Sequence, residues 1–253
     1  MHITSWNVNS LNVRLPHVLQ YLHDTAPDVL GLQELKQTDA AVDTTAIEAA
    51  GYRIATHGQK TYNGVALIAR EPLTDVVRGI PGYADEQARA IAASIGDVRV
   101  LNLYVPNGKA VGDEKYTYKL HWLDAATRYI DDLKREHPRL IITGDYNIAP
   151  ADLDVHDPDK WRDQILCSAP ERQALQNILA LGFKDAYRAL HPDTQQFSWW
   201  DYRMGGLRRN IGLRIDLTLA SDALALLDAS IDTAPRHWER PSDHAPAWVR
   251  IKG

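Results

Sequence analysis

The sequence predicts a single mixed α/β domain, and three observations carry that prediction. Strand-length apolar runs alternate with longer amphipathic stretches along all 253 residues. No Pro-, Gly- or Ser-rich linker, short-period repeat or low-complexity tract interrupts them. The chain is 45% hydrophobic and 24% charged, enough apolar material for one sizeable core. One domain over residues 1–253 is therefore the expectation.

The elements follow in order. "HITSWNV" reads as a strand. Residues 14–25 read as a helix with Leu15, Val18, Leu19 and Leu22 on one face. It ends before Pro27, because the residue preceding a proline avoids helical backbone. "DVLGLQE" is strand-like, and residues 43–50 are helical up to Gly51, a residue suited to a left-handed helix stop. "NGVALIAR" and "VRVLNLYVP" are further strands. The longest helix spans 115–136, with Leu120, Leu123, Ala126, Ile130 and Leu133 three or four residues apart. In "RLIITGDYNIAP" a core run, Leu140 to Ile142, passes directly into Gly144, Asp145 and Asn147. "ERQALQNILALG" reads as a helix closed by Gly182, and "IDLTLAS" and "APAWVRI" as the last strands. Segments 149–164, rich in Asp and Pro, and 200–212, rich in Gly and Arg, read as loops.

Composition excludes several classes. With 28 Lys and Arg against 33 Asp and Glu, the net charge of −5 argues against nonspecific coating of nucleic acid. A local basic groove is still compatible with it. No apolar run approaches the ~20 residues of a membrane span, and "MHITSWNVNS" lacks the basic start and apolar core of a signal peptide. The single Cys167 excludes an intrachain disulfide and suits a reducing cytoplasm, the expected location. No HxxxH or CxxC spacing marks a zinc site.

Polar residues recur where strands end. "VLGLQE" finishes on Glu34 and "LIITGDYN" on Asp145 and Asn147. "GLRID" opens a strand on Asp216, and "SDHAPAW" puts Asp243 and His244 just before the last one. Asn7 and Asn9 close the first strand and Tyr104 another. Taken singly, each is turn or packing chemistry. Taken together, they sit at the rim where sheet proteins place ligand sites. If Glu34, Asp145, Asp216 and Asp243 converge, their mutual repulsion calls for a cation, and oxygen donors without Cys suit Mg²⁺ or Mn²⁺. His244 beside Asp216 would be held as an imidazolium able to bind a phosphate oxygen.

One loop points to the substrate. "SWWDYRMGGLRRNIGLRID" interleaves Trp199, Trp200 and Tyr202 with Arg203, Arg208, Arg209 and Arg214, and no acid falls between Tyr202 and Ile215. Flat rings can stack on bases or sugars while guanidiniums pair with phosphates. The alternative is a solvated loop with its tryptophans folded into the core.

"SWNVNSL", "GLQE", "YNGVAL", "NLYVPNG", "TGDYNIAP", "NIGLRIDL" and "SDHAP" occur in the order of the exonuclease III family of apurinic/apyrimidinic (AP) endonucleases. The chain resembles that family over residues 3–249. The wider superfamily includes DNase I, sphingomyelinases and inositol polyphosphate phosphatases. The resemblance implies a DNase I-like four-layer α/β sandwich, with two packed mixed β-sheets flanked by helices. It further implies a metal-dependent phosphodiesterase using Mg²⁺, with Mn²⁺ as a substitute. Glu34 would bind the metal, with Asn7 and Asp243 close by or coordinating through water. Asp145 would orient or deprotonate the attacking water, and Asn147 would help hold it. His244, oriented by Asp216, would hydrogen-bond the scissile phosphate, which Tyr104 and Asn107 would also contact. Trp199, Leu213 and Ile215 match positions that wall the family's abasic-sugar pocket.

Departures are Asn9, which stands where some members carry Asp, and the variable loops around Cys167 and Arg208/Arg209. The implied activities are AP endonuclease, 3′-repair phosphodiesterase or phosphatase, and 3′→5′ exonuclease. Their substrate would be double-stranded DNA with abasic sites or blocked 3′ ends, with the enzyme acting as a monomer and without a membrane. Alternatives are a phosphodiesterase of the same superfamily acting on lipid, inositol phosphate or RNA, and a non-cutting binder of DNA ends. The complete set Glu34, Asp145, Asp243 and His244 argues against lost chemistry.

Overall fold

In the computed structural model, which describes residues 1–253, the strands are β1 (His2–Asn7), β2 (Val29–Gln33), β3 (Arg53–His57), β4 (Val65–Ala69), β5 (Thr74–Arg78), β6 (Ala90–Ile95) and β7 (Val98–Tyr104). They continue with β8 (Leu140–Asp145), β9 (Phe183–Asp185), β10 (Trp199–Trp200), β11 (Gly212–Leu213), β12 (Asp216–Ser221), β13 (Leu226–Ile231) and β14 (Ala247–Ile251). The α-helices are α1 (Leu11–Thr25), α2 (Thr44–Ala49), α3 (Glu114–Glu136), α4 (Pro158–Trp161), α5 (Ala169–Leu179) and α6 (Ala186–Leu190). Twelve strands form two six-stranded sheets, ordered β13-β14-β1-β2-β4-β3 and β5-β6-β7-β8-β12-β9.

Each sheet is antiparallel except for one parallel pair, β1 with β2 and β7 with β8. A parallel pair needs a crossover, and the helices α1 and α3 supply the two crossovers. Each crossover therefore leaves two strands ending side by side, with Asn7 opposite Gln33 and Tyr104 opposite Asp145.

Side-chain alternation separates the layers. On β2, Val29 points into a core shared with Ile3, Val65, Ile91, Val100 and Ile141 of both sheets. Leu30 and Leu32 point the other way, onto Trp6, Val18, Leu22 and Ile47 under α1 and α2. On the second sheet, Leu101, Leu103 and Ile142 face Trp122, Leu123, Ile130, Leu175 and Ile178 of α3 and α5. The order is helix, sheet, sheet, helix, the expected four-layer sandwich. Strands covered on both faces read as nearly continuous apolar runs. Truncating Leu123 or Ile130 to Ala would cost ~2–5 kcal/mol of stability. No helix is long and apolar enough to cross a membrane.

Three expectations on local structure need correction. The first helix starts at Leu11 rather than residue 14, because the backbone N–H groups of Ser10 and Leu11 donate to the Glu34 and Leu35 carbonyls. Segment 149–164 contains α4, whose Asp157 cap accepts from the Lys160 N–H, with Pro158 in the first turn. Segment 200–212 is bounded by the small β10–β11 pair. Strands β3, β5, β6, β9 and β13 and helix α6 lie where the pattern assigns no element.

Candidate active site

The ends of β1, β2, β7, β8 and β12 meet at one edge of the sandwich. Asn7, fully buried, donates its amide N–H₂ to Glu34 Oε1 and to Asp145 Oδ2, both at 2.9 Å. Tyr104 Oη also donates to Glu34 Oε1 at 2.9 Å. His244 Nδ1 lies 2.8 Å from Asp216 Oδ2, and its Nε2 lies 3.7 Å from Asp145 Oδ2. All of these except the Asn7–Glu34 bond join one sheet to the other. Glu34 itself has left the strand with a φ of 56°, a left-handed conformation that a branched or bulky residue resists.

Burial sets the electrostatics. Asp145 and Asp216 are 1% exposed and His244 is 4% exposed. Burial alone would drive the His244 proton off, but the adjacent carboxylates of Asp216 and Asp145 outweigh it and hold the imidazolium up to about 10. Asp145 is raised as well, to about 7, above the ordinary carboxylate range. Burial raises it most; His244 opposes and Asp216 adds to the rise. The Tyr104 hydroxyl is raised well above its ordinary value by burial and by the Glu34 and Asp145 charges, so it remains a donor. Asp216 is itself fixed by Ser198, whose Oγ donates to Oδ2 at 2.7 Å while accepting the N–H groups of Ile215 and Asp216.

The donor chemistry fits a hard divalent cation. Ligand atoms of Glu34, Asp145 and His244 lie within 4.8 Å of one another. Two carboxylates so close repel by roughly 3 kcal/mol at an effective dielectric near 20. In the structure the donors Asn7, Tyr104 and Lys36, with Nζ 3.0 Å from Glu34 Oε2, offset that repulsion. Glu34 and Asp145 offer the oxygen donors such an ion prefers, whereas His244, charged and bound to Asp216, offers no lone pair.

The polar residues around Glu34 take distinct places. Asn7 turns its amide nitrogen, not its oxygen, toward the acids, and its Oδ1 accepts the Asn9 N–H at 2.9 Å. It therefore clamps the acids as a donor. Asp243 stands outside the 4.8 Å group. Its two oxygens accept from Asn9 Nδ2 at 3.1 Å and from Trp199 Nε1 at 3.0 Å. Asp216 does not join Glu34 but lies behind His244, the orienting position that the resemblance implies.

Asn147 and Asn107 flank the carboxylates. The Asn147 N–H donates to Asp145 Oδ1 at 2.9 Å, its Nδ2 donates to the Val105 carbonyl, and its Oδ1 accepts from Asn107 Nδ2 at 3.2 Å. Asn107 is exposed on the solvent side of the cluster.

The aromatic loop is tied to the site through backbone. Trp200 N–H donates to the Asp243 carbonyl and Ala245 N–H to the Ser198 carbonyl. Arg208 and Arg209 project into solvent, while Arg203 is exposed and forks onto Asp201. Arg214 is not the phosphate contact the loop composition suggests. It is fully buried, its guanidinium bound to Asp154 at 2.7 Å and to Asp185 at 2.7 and 3.0 Å. Trp199 opens on a cavity of about 700 Å³ shared with Trp161, Met204, Arg209 and Ile211. Leu213 and Ile215 do not wall it. They are 0% and 2% exposed, packed behind Trp199 with Val155, Leu166 and Cys167.

Two site residues escape sequence reasoning. Lys36 follows Glu34 closely, and a lysine two residues from a proposed ligand is the available signal. Ser198 carries none, because a buried serine beneath a carboxylate looks like any strand serine.

The model of the "Endonuclease/Exonuclease/phosphatase family" matches residues 4–244. The chain is 38% identical to exodeoxyribonuclease III of Haemophilus influenzae, with 100% of each chain covered. A 3′ phosphatase from Neisseria bound to a product DNA hairpin superposes with a TM-score of 0.99 at 46% identity, covering 100% of both chains. An AP endonuclease from Archaeoglobus fulgidus gives 0.96 at 35% identity, again over 100% of each.

Proposed function

The chain belongs to the endonuclease/exonuclease/phosphatase family, in its exonuclease III branch, and from that premise we propose how its residues divide the work of cutting DNA. The protein is a DNA-repair phosphodiesterase of exonuclease III type, and its family is metal-dependent. The proposed reaction is in-line attack of water on phosphorus, with the 3′ oxygen leaving.

Asp145 takes the proton of the attacking water. Its raised proton affinity suits a general base working near neutral pH. Asn147 and Asn107 hold the water and the phosphate from one side. His244, kept cationic by Asp216, donates from Nε2 to a nonbridging phosphate oxygen as negative charge grows there. Glu34 is the residue that holds the ion, which when bound supplies Lewis-acid stabilisation of the same charge. Mg²⁺ is the proposed ion, with Mn²⁺ able to replace it. Arg208 and Arg209 take phosphates of the duplex, and Trp199 meets the sugar at the lesion.

The observation that carries this reading is the Asn7 clamp. One amide joins a carboxylate from each sheet, beside an imidazole held by a third acid. The proposed substrate is abasic or 3′-blocked duplex DNA, in keeping with the 3′ phosphatase and AP endonuclease it resembles, and the proposed acting form is a monomer of one domain. Incubation with duplexes carrying an abasic analogue or a 3′ phosphate, with Mg²⁺ and then with EDTA, tests it. Metal-dependent incision or 3′ trimming is expected, and neither activity appearing refutes the reading.

A further inference from the structure

Lys119 sits on α3 with no exposed surface, and the Glu171 carboxylate on α5 that faces it is equally buried. Lysine is almost never fully buried unless paired. Its three N–H donors meet three acceptors: Glu171 Oε1 at 2.5 Å, the Asn147 carbonyl at 2.6 Å and the Asn107 carbonyl at 3.2 Å. Glu171 is satisfied as fully, accepting the Leu166 and Ser168 N–H groups and the Ser168 hydroxyl. A hydrophobic pair of similar volume often serves stability as well as a buried ion pair. The pair's partners therefore suggest a further role, because two of them are the backbones of residues at the reaction site.

We propose that Lys119, braced by Glu171, is the positioning residue for the Asn107–Asn147 side of the active site. This rests on the roles given above to Asp145 and Asn147. Three links connect the ammonium to the general base: Lys119 Nζ to the Asn147 carbonyl, the Asn147 backbone, and the Asn147 N–H to Asp145 Oδ1 at 2.9 Å. Asn147 turns the chain here with a left-handed φ of 48°, a conformation asparagine adopts more readily than most residues. The same ammonium holds the Asn107 carbonyl, so one point charge fixes the spacing of both asparagines. Gly108 shows how closely that loop lies on the lysine. Its φ is +88°, and a Cβ there would come within 3.1 Å of the Lys119 stem and 2.9 Å of Ile165.

A role confined to fastening α3 to α5 predicts lost stability without a selective loss of rate. The double variant Lys119→Met/Glu171→Gln removes both charges, so no buried ion is left alone. The expected result is a folded protein whose kcat on an abasic-analogue duplex falls about 100-fold, the scale of an ångström-level misplacement. KM, and Kd for the uncut duplex in EDTA, stay within about threefold, because an interaction realised only in the transition state was lost. Lys119→Arg keeps the charge and the Glu171 pairing and so guards against a double variant that does not fold. Its planar fork cannot copy the three-way geometry of Nζ, and the same kcat-selective loss is expected. Wild-type kcat in either folded variant, or a loss carried by KM and Kd, overturns the proposal. Asp145→Asn serves as the separate control: normal cutting by that variant would sink the site assignment itself, whatever the lysine variants do.

Discussion

Replacing Asp216 by Asn removes one charge while keeping the shape that holds His244. The carboxylate is 1% exposed and lies 2.8 Å from Nδ1, with Ser198 as its only other side-chain partner. A hydrogen bond to a charged group contributes ~1.5–3 kcal/mol, which converts to a rate loss of roughly ten- to 150-fold if the imidazolium acts in the transition state. The pH dependence is more discriminating than the rate. His244 is held charged up to about 10, so its contribution is complete at neutral pH and disappears as pH rises through about 10. In Asp216→Asn, burial opposes the charge with Asp145, 3.7 Å from Nε2, and the smaller effect of Asp243 left to favour it. The disappearance must then move to lower pH. Single-turnover cleavage of an abasic-analogue duplex across neutral and alkaline pH measures the shift, and an NMR titration of His244 in EDTA measures it without chemistry. An unchanged alkaline limb with an unchanged His244 titration would refute the pairing.

Other consequences are equally open to measurement. Arg214→Met leaves Asp185 without its guanidinium and Asp154 with Arg188 alone, so urea unfolding should show a loss of ~3–5 kcal/mol, while duplex affinity of the folded fraction stays near wild type. Arg208→Ala and Arg209→Ala should do the opposite, leaving the melting temperature unchanged and lowering the salt dependence of duplex binding by about one ion each. Divalent ions should raise the melting temperature of the wild type by relieving the Glu34–Asp145 repulsion, and should do so less in Glu34→Gln. Equal stabilisation of the two would remove Glu34 from the metal's shell.

Much of this architecture could be read from residue order. Helices α1, α3 and α5 declare themselves because an apolar face every three or four residues has no other use. Strands β5 and β6 do not. "TDVVR" lies at an exposed edge and "AIAASI" is built largely of alanine, which favours helix when read alone. At the site, Glu34, Asp145, Asp216 and His244 are visible as polar residues at strand ends, where loops have little other reason to keep them together. Arg214 misleads because its acids are 29 and 60 residues away, and its neighbours are exposed arginines. Lys119 and Glu171 are invisible for a related reason: on an amphipathic helix a charged residue reads as surface until the fold covers it.

Because neither sheet alone carries the reaction site, catalytic competence and tertiary assembly are one event. Asn7, Glu34 and His244 ride on one sheet and Asp145, Tyr104 and Asp216 on the other. A chain that has folded only one half, or a misassembled intermediate with the layers apart, has acids but no nuclease. Nuclease activity should therefore report directly on how well the two halves are docked.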